Sequence, residues 1–307
     1  MRKLLRPTGT AALASAVALL AAACGGSSGG GQLSSGGGNP SATVASQQAN
    51  QSLASMVPAN IKSDGTITIG VDSTYAPSEF LAADGKTVQG FDVDLFNAIA
   101  QRLGLKTKWV SAPFDNIIPS VVSGKYEIGV SSFTINADRL KQTDMLSYFS
   151  AGTQWAAPKG NPKGIQPDSA CGHRIAVQRG TVQVDDITAR SKKCTSAGKP
   201  AIKIDQYQGQ DEATAALVSG KDEAMLSDSP VIAYAVKQTQ GQLELLGEIY
   251  DSAPYGFVFK KGDTQFAKAV QKSLESLIQD GTYKKVLDKW GVSQGAISNP
   301  QIDPPVS

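Results

Sequence analysis

Apolar residues recur along this chain at two spacings that take turns. Residues 66–71 alternate and then run apolar, as an opening strand does. Leu95, Phe96, Ile99 and Leu103 then share one helical face that Gly104 closes. Residues 106–110 read as a second strand, and a helix from Phe114 stops at Gly124, with Pro119 in its first turns. Residues 127–130 form a short apolar strand of the kind covered on both faces. Another strand begins at Tyr148 and runs through Ala157. The same alternation resumes with strands over 174–178, 202–207 and 223–226 and helices from Thr181 to about Lys193, over 211–218 and over 230–237. Strands over 243–247 and 257–260 follow. Two amphipathic helices come last, one on Phe266, Val270, Leu274, Leu277 and Ile278, the other on Tyr283, Val286, Leu287 and Trp290. Strands alternating with helices predict an α/β fold with largely parallel sheets.

One run occurs twice. Residues 121–132 and 217–228 share six of twelve positions, including Val-Ser-Gly-Lys, a glutamate and a serine. Each copy reads as a helix end, a tight turn and a buried strand. The first strand ends in Ser131, Ser132 and Thr134, with Arg139 close behind; the second ends in Ser227-Asp228. Open α/β sheets bind ligands at the carboxyl ends of their strands, and arginine offers a planar fork suited to a carboxylate. The repeat predicts two similar lobes that each present a strand end to a shared cleft. The competing account is a helix–turn–strand idiom without function.

The second unit interrupts the first, so the chain crosses between lobes near 150–152 and again near 252–255. Lobe 1 is expected to take residues 61–151 plus 254–292, and lobe 2 residues 152–253. Two crossing strands make a hinge. Residues 25–58 are rich in Gly, Ser and Gln and carry no charge, so 24–60 reads as a flexible tether. The tail over 293–307 reads as disordered.

With 307 residues, 41% of them hydrophobic, the chain can fill one large or two medium domains. Residues 1–23 join a basic start to a short apolar run, which reads as an export signal. Removing Arg2, Lys3 and Arg6 with it leaves 26 basic side chains against 27 acidic, a balance that offers no electrostatic grip on nucleic acid. The segment resembles a bacterial lipoprotein signal, which implies lipid on Cys24 and anchoring at the outer face of the cell membrane. Ala21 stands where such signals usually carry leucine, and Ala21-Ala22-Ala23 also suits an ordinary signal peptidase, leaving Cys24 a thiol. Export implies an oxidising compartment, so a disulfide between Cys171 and Cys194 is expected, against two buried thiols.

With both lobes placed, the residues resemble the bacterial extracellular solute-binding proteins of family 3, the amino-acid receptors of ABC importers. Residues 90–100, GFDVDLFNAIA, carry the likeness most closely, and it extends over about 67–291. The resemblance implies a two-lobed, periplasmic-binding-protein-like fold acting as a monomer with a membrane permease. It implies that Arg139 holds a ligand carboxylate with Ser132, Thr134 and the amides of Gly180 and Thr181, and that Asp228 takes the ammonium. It further implies that Tyr75, Phe114 and Phe133 wall the side-chain pocket and that Asp72 meets a polar, basic or amide tip. Gln178 and Val182 depart from relatives, which often carry smaller or more polar residues there, so side-chain specificity is not transferable.

Each residue also has a plainer reading. Asp72 and Asp228 suit turns or helix caps, Arg139 a surface ion pair, Tyr75 and Phe114 the core. Asp92 and Asp94 are accounted for by a helix N-terminus. His173, the one histidine, reads as solvated. No His or Cys cluster has metal-ligand spacing and no glycine loop cradles a phosphate, so neither metal nor cofactor is expected. Two other functions stay open: a dehydratase-like enzyme on the same scaffold, with Asp72 or Asp228 as its acid, and a sensor that binds without transport.

Overall fold

The computed structural model describes residues 45–306. The export signal, Cys24 and the first part of the tether lie outside the described residues.

The chain begins with α1 (Gln51–Ser55) and α2 (Ala59–Lys62), then β1 (Thr66–Val71), β2 (Thr74–Tyr75), β3 (Glu79–Leu81), β4 (Val88–Gln89) and α3 (Phe91–Arg102). It continues through β5 (Lys106–Ser111), α4 (Phe114–Val122), β6 (Ile128–Thr134), α5 (Ala137–Gln142) and the long β7 (Thr143–Pro158). Next come β8 (Arg174–Gln178), α6 (Val182–Ser196), β9 (Lys203–Tyr207), α7 (Gln210–Val218), β10 (Ala224–Asp228) and α8 (Ser229–Gln238). The long β11 (Leu243–Lys260), α9 (Thr264–Gln279) and α10 (Thr282–Trp290) finish it.

Eight strands hydrogen-bond in the order β5-β1-β6-β11-β7-β10-β8-β9. β1 is parallel to β5 and β6, and β8 is parallel to β9 and β10. Between these two parallel sets run β7 and β11, antiparallel to each other, with Ala253 opposite Ala151 and Pro254 opposite Ser150 where they cross. They are the two-strand hinge of a two-lobed α/β fold. The buried apolar side chains form four clusters, none of which spans both lobes. Strand alternation assigns the faces. Ile175, Val177, Ala224 and Leu226 enter one cluster of the second lobe, while Ala176 and Met225 enter the other. In the first lobe Gly70 is required by packing, because a Cβ there would stand 2.3 Å from the Tyr126 ring.

The repeat has a structural job in each lobe. Gly124 and Gly220 both turn with positive φ, +79° and +76°. Glu127 then pairs with β1, its amide on Thr68 O and its carboxylate taking the Thr68 amide at 2.6 Å. Glu223 does the same to β8 through Arg174, at 2.9 and 3.2 Å. Glu223 also binds His173 Nδ1 at 2.9 Å, so the histidine expected to be solvated has an acidic partner.

Both chain ends differ from expectation. Residues 45–60 are not all tether: Gln47 accepts from Arg102 and donates its amide to Gln101, and Asn50 caps α1 through Leu53. The tail is placed as well. β10 joins only the second half of β7 and leaves the first half with an open edge. Gln301 and Ser147 exchange bonds there at 2.8 and 2.9 Å, Asp303 donates to Met145 O, and Ile302 bridges Leu146. A stretch with no apolar period is ordered by satisfying strand amides that would otherwise be unpaired.

Cys171 and Cys194 are joined, closing a loop that holds β8 and most of α6, with a sequence separation of 23. Replacing both by serine is expected to cost about 3 kcal/mol, mainly through the freer unfolded chain. Urea denaturation with and without reductant measures it; equal midpoints would mean that the bridge contributes nothing.

Candidate functional site

The carboxyl ends of β1 and β6 face those of β8 and β10. Asp72 follows β1 and is 3% exposed. Its Oδ1 accepts from the amide and hydroxyl of Thr74, and its Oδ2 from the Phe114 amide that opens α4 and from Gln178 Nε2 at 2.8 Å. Burial pushes its carboxyl up to about 6, against the pull of these four donors.

Arg139 sits in the first turn of α5, which Asn136 caps through the Arg139 amide. Its Nη1 donates to Thr134 O at 2.7 Å and its Nη2 to Gly180 O at 3.2 Å. Phe114 and Phe133 stack at 4.7 Å, and the guanidinium carbon lies 5.4 and 5.6 Å from their centroids. Burial pulls Arg139 down to about 10, with Asp228 opposing, so it stays charged at neutral pH. It makes no ion pair with Asp138 or Asp144, which bind Lys141 and Lys261 instead.

Asp228 ends β10 and is 5% exposed. It occupies the N-cap of α8 without capping it. Its carboxylate instead accepts from Tyr75 OH at 2.8 Å, Tyr255 OH at 2.7 Å and Gln183 Nε2 at 2.7 Å. Burial raises its pKa, while these three donors and the Arg139 charge hold it down.

Tyr75, Phe114, Ser132, Thr134, Arg139, Thr181, Val182, Gln183 and Asp228 surround one cavity of about 10 Å³, room for about one water molecule. Of the ten residues singled out from the sequence, seven line it. Asp72 lines a neighbouring cavity of about 350 Å³ with Thr74, Ser111, Gln208, Gly209, Asp211 and Glu212. Phe133 lies beneath Phe114, and Gly180 meets Arg139 through its carbonyl rather than its amide. Ser132 reaches the cavity, but its amide and hydroxyl turn towards Asp92, at 3.1 and 3.3 Å. Asp92 lies in the first turn of α3, as expected, and is in addition a fully buried acceptor.

Two residues of the site had no sequence signal. Gln183 and Tyr255 complete the Asp228 shell, one from the first turn of α6, the other from β11 beyond the hinge. Ser227 Oγ adds a contact to Tyr75 OH at 2.9 Å. Further bonds join the lobes around the cavity: Arg179 pairs with Asp115 at 2.7 Å, and Thr74 Oγ1 accepts the Gln210 amide at 3.0 Å. Among the described residues no helix is long and apolar enough to cross a membrane, and no group of three or more His, Cys, Asp or Glu could hold a metal ion.

The chain is similar to the arginine-binding protein ArgT of Corynebacterium glutamicum, 35% identical over 252 residues that make up 82% of each chain. It is 33% identical to the lysine/arginine/ornithine-binding periplasmic protein of Escherichia coli, over 73% of this chain and 87% of that one. Among solved structures, an ancestral arginine-binding protein bound to arginine superposes with TM-score 0.69 at 33% identity, covering 74% of this chain and 98% of that one. An ancestral amino-acid-binding protein described as a precursor of cyclohexadienyl dehydratase gives 0.66, also at 33%, with 75% and 97% covered. The family model of the bacterial extracellular solute-binding proteins, family 3, matches residues 67–293, and the chain belongs to that family.

Proposed function

We propose that this protein captures a free amino acid with a cationic side chain outside the cytoplasm and delivers it to an ABC permease in the membrane. One observation carries the reading: Arg139 of the first lobe and Asp228 of the second line the same small cavity. Opposite charges from opposite lobes suit the carboxylate and ammonium of a zwitterion, and each is stronger once closure excludes water. The arginine named for the related proteins supports the cationic preference, as do Asp72, Asp211 and Glu212 in the adjoining cavity. In this reading Tyr75 and Phe114 flank the side chain, and Thr134, Gly180 and Thr181 frame the carboxylate end. Lipid on Cys24 would keep the receptor at the outer face of the membrane, close to its permease.

A micromolar complex needs about −8 kcal/mol, which a few charge-assisted hydrogen bonds and two aromatic walls can supply. Calorimetry with single amino acids tests the reading. Arginine, lysine or ornithine is expected to bind best; tightest binding of glutamate would overturn the side-chain assignment, and no binding of any amino acid would overturn the whole.

Asp72→Asn should weaken arginine by about 1.5–3 kcal/mol, the worth of a hydrogen bond to a charged partner, and leave glutamine almost unchanged. The ionised Asp72 is the form that attracts a guanidinium. Because its carboxyl titrates at about 6, arginine affinity in the wild type should fall as pH drops through that value. The Asn variant should lack that fall; an equal acid limb in both proteins assigns it to another group.

A second reading is an enzyme, favoured by the likeness to the dehydratase precursor. Turnover of a prephenate-type substrate by the purified protein would establish it, and calorimetric capture of arginine without turnover counts against it. A ligand sensor shares every binding prediction, and uptake of labelled arginine by cells with and without the protein separates import from sensing.

A further inference from the structure

Behind the wall of the cavity lie two carboxyl groups with no part in the charges described so far. Glu79 of β3 and Asp92 of α3 are both fully buried and are neighbours on one serine. Their oxygens converge on Ser132, whose Oγ lies 3.3 Å from Asp92 Oδ2 and 3.5 Å from Glu79 Oε2. Asp92 Oδ2 also accepts the Ser132 amide at 3.1 Å and the Tyr148 hydroxyl at 2.6 Å. Glu79 Oε1 accepts from Ser131 Oγ at 3.1 Å, and Ser131 Oγ accepts the Asp72 amide at 3.0 Å. Ser132 itself is held at φ +50°, an unusual backbone for a residue with a side chain. The pair therefore grips both serines at the end of β6 and, through one of them, the backbone at Asp72.

Two adjacent buried carboxylates repel strongly, so the second ionises only well above the first. The titratable groups that face the pair are Asp72 at the end of β1, Tyr148 of β7 and Tyr283 of α10, and all three are acids. Asp92 Oδ1 is buried and has no N–H or hydroxyl donor. A proton on Glu79 supplies the donor that the pair lacks. Burial and the neighbouring Asp92 charge push Glu79 well above the ordinary glutamate range.

We propose that Glu79 and Asp92 share one proton and act as positioning residues for the Ser131–Ser132 end of β6, so that amino-acid capture weakens when that proton leaves. This deepens the proposed function and rests on its reading of the Arg139–Asp228 cavity. On deprotonation the two carboxylates separate, Ser132 loses its shared acceptor, and its left-handed backbone relaxes beside Arg139. The proton goes to bulk water as pH rises, and no other reactant is involved.

Two measurements decide it. In the ligand-free wild type, carbon NMR of the side-chain carboxyls should show one member of the pair still protonated well above the ordinary range; two normal titrations would overturn the proposal. Arginine titrations from about pH 5 to about pH 9 should then show wild-type affinity falling at least about tenfold, a change of about 1.4 kcal/mol, through that same step. Glu79→Gln, which keeps a neutral donor towards Asp92, should bind within about threefold of wild type at neutral pH and lack the step. Loss of the arginine amine proton near the top of the range affects both proteins alike. A wild-type to variant affinity ratio that stays constant across the range overturns the positioning role. If the variant does not fold, the wild-type pair still decides, because the NMR step and the affinity step must coincide. If the wild type binds no amino acid, the proposed function fails on its own, and the carbon titration still decides whether the proton is shared.

Discussion

Arg139→Ala should abolish measurable amino-acid capture. The guanidinium has five N–H groups, and two of them fix it in place on the carbonyls of Thr134 and Gly180. The rest of the fork is free to meet a carboxylate. Phe114 and Phe133 hold the charge against aromatic faces, where it is only weakly hydrated and needs little further desolvation on binding. Truncating one partner of a buried, hydrogen-bonded charge pair costs roughly 3–5 kcal/mol, a loss of about a hundredfold to several thousandfold. Calorimetry reads that loss directly, and thermal unfolding of the same sample shows whether the fold survives. Arg139→Lys keeps the charge without the fork and should recover only part of the affinity. Wild-type affinity in the alanine variant would place the carboxylate elsewhere.

Asp228→Ala should damage both fold and binding, and Asp228→Asn should separate the two. Three buried donors end on this carboxylate: Tyr75 OH, Tyr255 OH and Gln183 Nε2. Alanine strands Tyr255 OH, while Tyr75 OH keeps Ser227 Oγ and Gln183 Nε2 keeps Thr153 Oγ1, and a stranded buried group costs about 1–3 kcal/mol before relaxation. Destabilisation by about 1–3 kcal/mol is therefore expected in urea, with Tyr75 held across the lobes by Ser227 alone. Asparagine keeps the volume and one acceptor, so the variant should fold with a smaller loss. It cannot neutralise an ammonium, and arginine affinity should still drop by about a hundredfold, near the 3 kcal/mol upper range of a charged hydrogen bond. Near-normal binding by the Asn variant would mean that the ammonium is held by neutral groups.

Much of the scaffold was readable because periodicity reports burial. Strands 66–71 and 174–178 emerge with their observed bounds, since both are buried runs closed by polar residues. The repeat marked two similar units, and its glutamates clasp β1 and β8. Arg139 and Asp228 were legible as charged groups at strand ends. What was hidden depends on partners distant in sequence. Asp92 reads locally as a helix-end charge, and only the fold brings Ser132 and Tyr148 to it. Gln183 and Tyr255 meet Asp228 across turns that no short window spans. Residues 301–303 carry no apolar rhythm, and the open edge of β7 gives them their place.

The interleaving of the chain also orders its assembly. The second lobe draws its core from one continuous run, so its contacts are local and close early. The first lobe packs α3 against both α9 and α10, and β7 against α9, and these two helices arrive only after the whole intervening unit. Its core stays incomplete until nearly the full polypeptide is present. Half of the cleft therefore waits, as a loosely held platform, for a pair of late helices before it becomes a rigid jaw.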